Sequence, residues 1–191
     1  MTFCLDSTII KPEHDKEIKN AIILLHGYGG DGKDISMLSM NWRRHLPNTI
    51  FICPNGHELC SINPSGFQWF DLTNDDSKYI LEQSIKAENK LKGFICEIKN
   101  EFGLEKYLIF FIWGKIINQV DLKSRKKNAT KTLLIHGDSD QVVSPHFMLE
   151  AKDFLIRNNV EIETHLIKNC DHNIPMEASS IALNYLLKKI K

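Results

Sequence analysis

The sequence predicts an α/β fold, in which a mostly parallel sheet carries helices on both faces. Short runs that are apolar at almost every position alternate with longer stretches of helical periodicity, and turn residues separate the two. Strands that are apolar on both faces are typical of parallel sheets that are covered on both sides. The alternation of strand and helix favours this arrangement over a sandwich or a bundle.

Four short apolar runs are predicted to be strands. Gly27, the sequence Pro54-Asn55-Gly56 and Gly137 follow three of them as stop signals. Residues 160–167 alternate between apolar and polar side chains, which predicts a fifth strand nearer an edge of the sheet. The four apolar runs are residues 21–26 (AIILLH), 49–53 (TIFIC), 107–112 (YLIFFI) and 132–136 (TLLIH).

The longest predicted helix precedes the third strand. Its apolar residues recur at spacings of three, four and seven between Ile80 and Phe102. Asp75 or Asp76 is the candidate N-cap, because a carboxylate there can accept a hydrogen bond from a free N–H of the first turn. Gly103 follows as a stop signal.

Three further helices are predicted. A short one follows Asp34, between the first two strands. Another begins at Ser144 and Pro145, which suit the N-cap and first helical positions. The last, over residues 175–190, closes the chain, with two lysines at its C-terminal end where the helix dipole favours positive charge.

Length, charge and cysteine usage narrow the class of protein. The 191 residues predict one domain, residues 1–191. The 24 basic and 24 acidic side chains cancel, so the sequence predicts no nucleic-acid partner. No apolar run approaches the roughly 20 residues that span a bilayer. Five scattered cysteines and the lack of a signal sequence predict a cytoplasmic protein with free thiols.

Three polar motifs lie beside the predicted strands. Residues 25–30 (LHGYGG) can turn backbone N–H groups toward a ligand, as an oxyanion hole requires, or can form a simple turn. Residues 136–145 (HGDSDQVVSP) place acidic groups just past a buried strand, as a functional or a capping turn. Residues 170–173 (CDHN) place a histidine in a polar loop. No nucleotide motif is present, so neither a cofactor nor a metal is predicted.

Together the three motifs, in this order, resemble the α/β-hydrolase fold and, within it, the phospholipase/carboxylesterase and acyl-protein thioesterase family. Asn55 after FICP and the sequence Trp69-Phe70-Asp71 fit the middle region of that family. The resemblance covers about residues 21–104 and residues 131 to the C-terminus. It implies a small ester or thioester as the substrate of any activity that the chain retains.

The resemblance also implies roles for individual residues. Asp140 matches the acid of the catalytic triad, and His172 matches the base that the acid orients. The backbone N–H of Tyr28, after Gly27, matches one donor of the oxyanion hole. Trp69 matches a residue that lines the substrate entrance.

The nucleophile of the family is absent from the sequence. The family carries its serine in a GxSxG turn after the central strand. None of the twelve serines lies in GxSxG, and none of the five cysteines lies in GxCxG. Residues 105–131 are too few for that turn, the following helix and the next strand. Residues 107–114 (YLIFFIWG) therefore join the start of one strand to the end of the next, and one strand–turn–helix unit of about 30 residues is missing.

Three functions remain open at this point. The first is a truncated α/β-hydrolase without catalytic activity. The second is a working hydrolase that recruits Ser139 or activates water with Asp140 and His172. The third is a non-catalytic binding module or homo-oligomer in which partners cover the exposed sheet. In each case we expect Asp140 and His172 to lie within hydrogen-bond distance, because both follow strands outside the shortened region.

Overall fold

The computed structural model describes residues 3–13, 16–104 and 131–190, together with the backbone of residues 108–111. The chain forms two compact units. Residues 1–113 and 190 make up the N-terminal unit, and residues 114–189 and 191 make up the C-terminal unit. The single domain expected over residues 1–191 stays a prediction.

A four-stranded sheet forms the N-terminal unit, in the order β1-β3-β2-β6. Strand β2 (Asn20–Leu24) lies parallel to β3 (Thr49–Pro54) on one side and to β6 (Leu108–Phe111) on the other. Strand β1 (Ser7–Ile10) pairs antiparallel with β3. The three parallel strands confirm the predicted ones, whereas β1 was not predicted.

One face of this sheet is covered by the helix that precedes β6. Every residue of β2 and β3 is buried. The β2 residues Ala21 and Ile23 and the following Leu25 pack with Phe94 and Ile98 of helix α3 (Ser77–Phe102). Because alternate strand residues share a face, this packing uses every second position of the strand. Ile23 and Leu25 are therefore buried.

Local signals set the ends of α3 as predicted. The Asp76 carboxylate accepts a hydrogen bond from the Tyr79 N–H at 2.7 Å. Gly103 has the left-handed φ of 62° that ends helices, and its N–H donates to the Lys99 carbonyl.

Two short helices lie between β2 and β3. They are α1 (Gly32–Ile35) and α2 (Met37–Trp42), so the helical region begins before Asp34 and not after it. Asp31 is the N-cap, and its carboxylate accepts from the Asp34 N–H at 2.7 Å. A two-stranded antiparallel hairpin, β4 (Glu58–Leu59) and β5 (Phe67–Gln68), follows β3 and was not predicted.

The C-terminal unit is built on two parallel strands, β7 (Thr132–Gly137) and β8 (Ile162–Ile167). Helix α4 (His146–Arg157) connects them, and helix α5 (Met176–Lys189) follows. Both strands and both helices confirm the predicted elements. Helix α4 begins one residue later than Pro145, and the Ser144 hydroxyl accepts weakly from the His146 N–H at 3.4 Å.

The described part of the chain contains no helix with the length and apolar character needed to cross a bilayer. The cytoplasmic location stays a prediction. The predicted join between two strands falls mostly on residues 105–107 and 112–130, which lie outside the described residues.

Candidate acid–base site and glycine loop

The turn after β7 buries the carboxylate of Asp140, which is 4% exposed. One oxygen, Oδ1, accepts from the N–H groups of Val142 at 2.9 Å and Val143 at 2.8 Å. The other, Oδ2, lies 2.9 Å from His172 Nδ1 and 3.2 Å from His136 Nε2. Three donors, the two backbone N–H groups and His172 Nδ1, therefore satisfy both oxygens of the carboxylate, and the His136 ring lies beside Oδ2.

His172 lies in the loop between β8 and α5, and its side chain is 35% exposed. Its distance to Asp140 confirms the expectation that the two side chains meet. Because an ionised carboxylate only accepts hydrogen bonds, His172 Nδ1 carries the proton, and Nε2 is the nitrogen that can take one up. Asp171 joins the two loops, since its Oδ1 accepts from the N–H groups of His172 at 2.8 Å and Gln141 at 3.3 Å.

Two opposing effects act on the pKa of Asp140. Burial raises the pKa, because it disfavours the charged carboxylate. Hydrogen bonds from Val143, His172 and Val142 favour the charged form and outweigh burial. The pKa of Asp140 is therefore lower than that of an ordinary aspartate.

The two loops approach each other closely at Gly137. The Asp138 N–H donates to the Ile167 carbonyl at 2.9 Å, and the Ser139 N–H donates to the Cys170 carbonyl at 3.0 Å. These bonds continue the β7–β8 ladder past the strand ends. A Cβ on Gly137 would lie 2.2 Å from the Cys170 carbonyl oxygen, so only glycine fits without backbone movement.

His136 is the site residue that sequence reasoning missed. It is 14% exposed in its side chain, and its Nε2 lies 2.8 Å from the Val143 carbonyl oxygen as well as 3.2 Å from Asp140. Its position as the first residue of the HGDSD motif could have identified it, but only the acidic residues of this motif were predicted to belong to the site.

The glycine loop, residues 25–30, lies against the β4–β5 hairpin in the N-terminal unit. Gly29 N–H donates to the Phe67 carbonyl at 3.0 Å, and Phe67 N–H donates to the Gly30 carbonyl at 2.8 Å. The Asn63 amide donates to the Gly29 carbonyl at 2.8 Å. Gly29 has φ of 77°, and a Cβ on Gly66 would lie 2.1 Å from the Gly29 oxygen, so both positions require glycine.

Tyr28 is held by its phenol group. The hydroxyl lies 2.9 Å from the Ser61 hydroxyl and donates to Asp71 Oδ1 at 3.1 Å. Hydrogen bonds from Thr73, Tyr28 and Ser61 lower the pKa of Asp71. Within the described residues, the backbone N–H of Tyr28 has no hydrogen-bond acceptor and a Cβ on Gly27 would meet no atom. The oxyanion role of Tyr28 and Gly27 stays a prediction.

Trp69 supports the start of the same loop. Its indole N–H donates to the His26 carbonyl at 3.1 Å, and its ring stacks on the His26 ring with centroids 5.5 Å apart. The His26 ring accepts from the Gly56 N–H at 2.8 Å through Nε2. Burial lowers the pKa of His26, which agrees with this neutral form. The role of Trp69 at a substrate entrance stays a prediction.

Ser139 is the candidate nucleophile of a working hydrolase with a non-standard site, but its hydroxyl is not bonded to His172. Its hydroxyl donates to Asp138 Oδ1 at 2.7 Å. The described residues include no group of three or more His, Cys, Asp or Glu side chains that could hold a metal ion.

The parallel strands, their covering helices and the loops beyond the strand ends define an α/β-hydrolase fold. The family model for phospholipase/carboxylesterase matches residues 6–112, more than half of the 191 residues. The chain belongs to the phospholipase/carboxylesterase family.

Solved structures match nearly the whole chain. Esterase PE8 matches with a TM-score of 0.87 at 26% identity, over 97% of this chain and 99% of that chain. The carboxylesterase of Bacillus cereus matches with a TM-score of 0.70 at 17% identity, over 97% of this chain and 95% of that chain. Acyl-protein thioesterase 2 of Zea mays matches with a TM-score of 0.64 at 17% identity, over 97% of this chain and 99% of that chain. The last two matches show the fold alone.

Proposed function

We propose that this chain is a phospholipase/carboxylesterase-family protein that keeps an acid–base pair, Asp140 and His172, but lacks a serine nucleophile and forms no acyl-enzyme. The observation that carries the proposal is the 2.9 Å contact between this pair, in a sequence that contains neither GxSxG nor GxCxG. Both GxSxG and GxCxG need two glycines four residues apart, and no two of the ten glycines have that spacing.

Loss of the nucleophile removes most of the chemistry of a serine hydrolase. In the subtilisin example, removing the serine costs about 10⁶ in turnover. The residue after the nucleophile also supplies an oxyanion N–H in this fold, so that donor leaves with the serine. We therefore expect hydrolysis of family-type ester or thioester substrates to be close to background.

The alternative is a hydrolase with a non-standard site, for which the orientation of His172 is the favourable observation. Donation from Nδ1 to Asp140 makes Nε2 the basic nitrogen of the ring, which a mechanism through water would use. Recruitment of Ser139 is less favoured, because its hydroxyl is bonded to Asp138.

A fluorophosphonate probe separates these functions, because it labels only an activated serine. We expect no labelling of the full chain, and the same slow hydrolysis of a p-nitrophenyl ester in the unmodified protein and in His172→Ala. His146→Ala is the matched control, since His146 is an exposed histidine on α4 beside Glu150.

Two outcomes would contradict the proposal in different ways. Stoichiometric labelling that disappears in His172→Ala would identify a working serine hydrolase. Ester hydrolysis without labelling that falls in His172→Ala, but not in His146→Ala, would identify activation of water by the acid–base pair.

A further inference from the structure

His136 contacts both ends of the turn that carries Asp140. Its Nε2 lies 2.8 Å from the Val143 carbonyl oxygen and 3.2 Å from Asp140 Oδ2. A carbonyl oxygen only accepts hydrogen bonds, so His136 Nε2 carries a proton. The N–H therefore donates to the Val143 carbonyl, and Asp140 Oδ2 lies 3.2 Å from the same nitrogen as a close contact.

The peptide groups of Val143 are thereby held from two sides. Its N–H donates to Asp140 Oδ1 at 2.8 Å, and its carbonyl accepts from His136. The ring of His136 thus links the end of β7 to the residue at which the turn leads into α4. Without the ring, the described contacts would leave the Val143 carbonyl without a partner and the turn fixed at fewer points.

The carboxylate of Asp140 is oriented by the same arrangement. Its Oδ1 faces the two backbone N–H groups, so its Oδ2 must face the two imidazoles. A buried carboxylate that lost one of these donors would gain by rotating or moving toward another. The other acidic groups of the two loops, Asp138 and Asp171, are exposed and have their own donors.

We propose that His136 is a positioning residue, whose Nε2–H fixes the Val143 carbonyl and with it the turn that holds Asp140, so that Asp140 Oδ2 meets His172 Nδ1. This role rests on the acid–base pair of the proposed function, and it holds whether or not that pair catalyses a reaction.

The test observes the Asp140–His172 hydrogen bond directly in the full chain. A histidine N–H that donates to a carboxylate gives a strongly downfield proton signal in NMR, and its loss in His172→Ala assigns it. We expect His136→Phe to abolish or broaden this signal, because phenylalanine fills the space without a donor. His136→Gln should retain it, because the Gln amide can donate to the same Val143 carbonyl. His165→Phe is the matched control, since His165 is exposed on β8 opposite Ile135.

An unchanged downfield signal in His136→Phe, with an otherwise native amide spectrum, would overturn the proposal. If that variant does not fold, a measurement on the unmodified protein tests the proposal instead. A long-range ¹H–¹⁵N spectrum at neutral pH reports which ring nitrogen of His136 is protonated. A proton on Nε2 supports the proposal, and a bare Nε2 overturns it. Neither measurement involves labelling or hydrolysis, so failure of the proposed function would be seen separately.

Discussion

Asp140 stays ionised in a buried position because three hydrogen-bond donors surround it, and two of them are backbone N–H groups. Backbone donors are fixed by the turn itself and carry no charge that could titrate away. His172 adds a third donor on the opposite oxygen. The carboxylate therefore links the local structure of one turn to the position of His172, and changes at this residue should affect both stability and the site.

Replacement of Asp140 by asparagine tests this link. The amide NH₂ of Asp140→Asn would face the imidazole donors or the backbone N–H groups, so at least one donor loses its acceptor. We expect a loss of about 1–3 kcal/mol in the free energy of unfolding at pH 7, measured with urea. The native pKa of Asp140 is lowered, so its stabilisation is present above the ordinary value of 3.8 and is lost as pH falls through the native value. The difference in the free energy of unfolding between the unmodified protein and Asp140→Asn should therefore become smaller below about pH 4.

Asp138→Asn is the control for this experiment. Asp138 is exposed and its carboxylate accepts from the Ser139 hydroxyl, so its loss should change stability by less than about 0.5 kcal/mol. If Asp140→Asn lowers the free energy of unfolding by the same amount at pH 7 and below pH 4, this would contradict the ionised, hydrogen-bonded state of Asp140.

At the scale of elements, the parallel pairing of β7 and β8 brings the acid and the base together. Parallel strands end at the same edge of a sheet, so the turn after β7 and the loop after β8 emerge side by side. Backbone hydrogen bonds continue the pairing for two residues beyond Gly137. The absence of a side chain at Gly137 is what allows this continuation.

We expect Gly137→Ala to separate the two loops. The added Cβ would lie 2.2 Å from the Cys170 carbonyl oxygen, which belongs to the backbone and cannot move independently. The free energy of unfolding should fall by about 1–3 kcal/mol, and the downfield proton of His172 should shift or disappear. Urea unfolding and NMR measure the two effects.

Gly93→Ala is the matched control, because Gly93 lies inside α3 and a Cβ there would meet no atom within 4 Å. Alanine is the better helix former, so this variant should gain about 0.5–1 kcal/mol. A Gly137→Ala protein as stable as the unmodified one, with an unchanged proton signal, would show that the loops can part without cost.

At the scale of the whole molecule, the burial of the strands differs between the two units. Strands β2 and β3 are buried throughout, whereas β7 and β8 are mostly half-buried or exposed. Leu166 of β8 is 51% exposed, and Val142 and Met176 beside the acid–base pair are 72% and 68% exposed. Large apolar side chains that stay exposed in this way raise the tendency of a protein to associate or to bind apolar ligands.

We therefore expect the isolated protein to bind a hydrophobic dye, to self-associate, or to unfold at the low end of the range for mesophilic domains. Size-exclusion chromatography with light scattering, dye fluorescence and thermal unfolding measure these properties. A monodisperse monomer that binds no dye and unfolds sharply well above about 65 °C would contradict the expectation. The homo-oligomer stays a prediction until such measurements are made.

Elements whose signals are local follow from the sequence alone. Runs apolar on both faces predicted the parallel strands, and the periodicity of α3 with Asp76 and Gly103 at its ends predicted that helix. The motifs around Asp140 and His172 identified the candidate pair, because residue type and chain order are enough to recognise a family pattern. These features depend on neighbours within a few positions, which is the range over which propensity and capping act.

Features that depend on distant partners could be seen only in the three-dimensional structure. Strand β1 and the β4–β5 hairpin are too short to give a recognisable sequence pattern. Strand β1 forms because β3 supplies its hydrogen bonds, and β4 and β5 form because they pair with each other. His172 meets Asp140 across 32 positions of sequence, and His136 joins them only because the turn folds back onto the end of β7. The need for glycine at position 137 arises from a backbone segment more than 30 residues away. Such contacts follow from the pairing of whole strands, which no local pattern specifies.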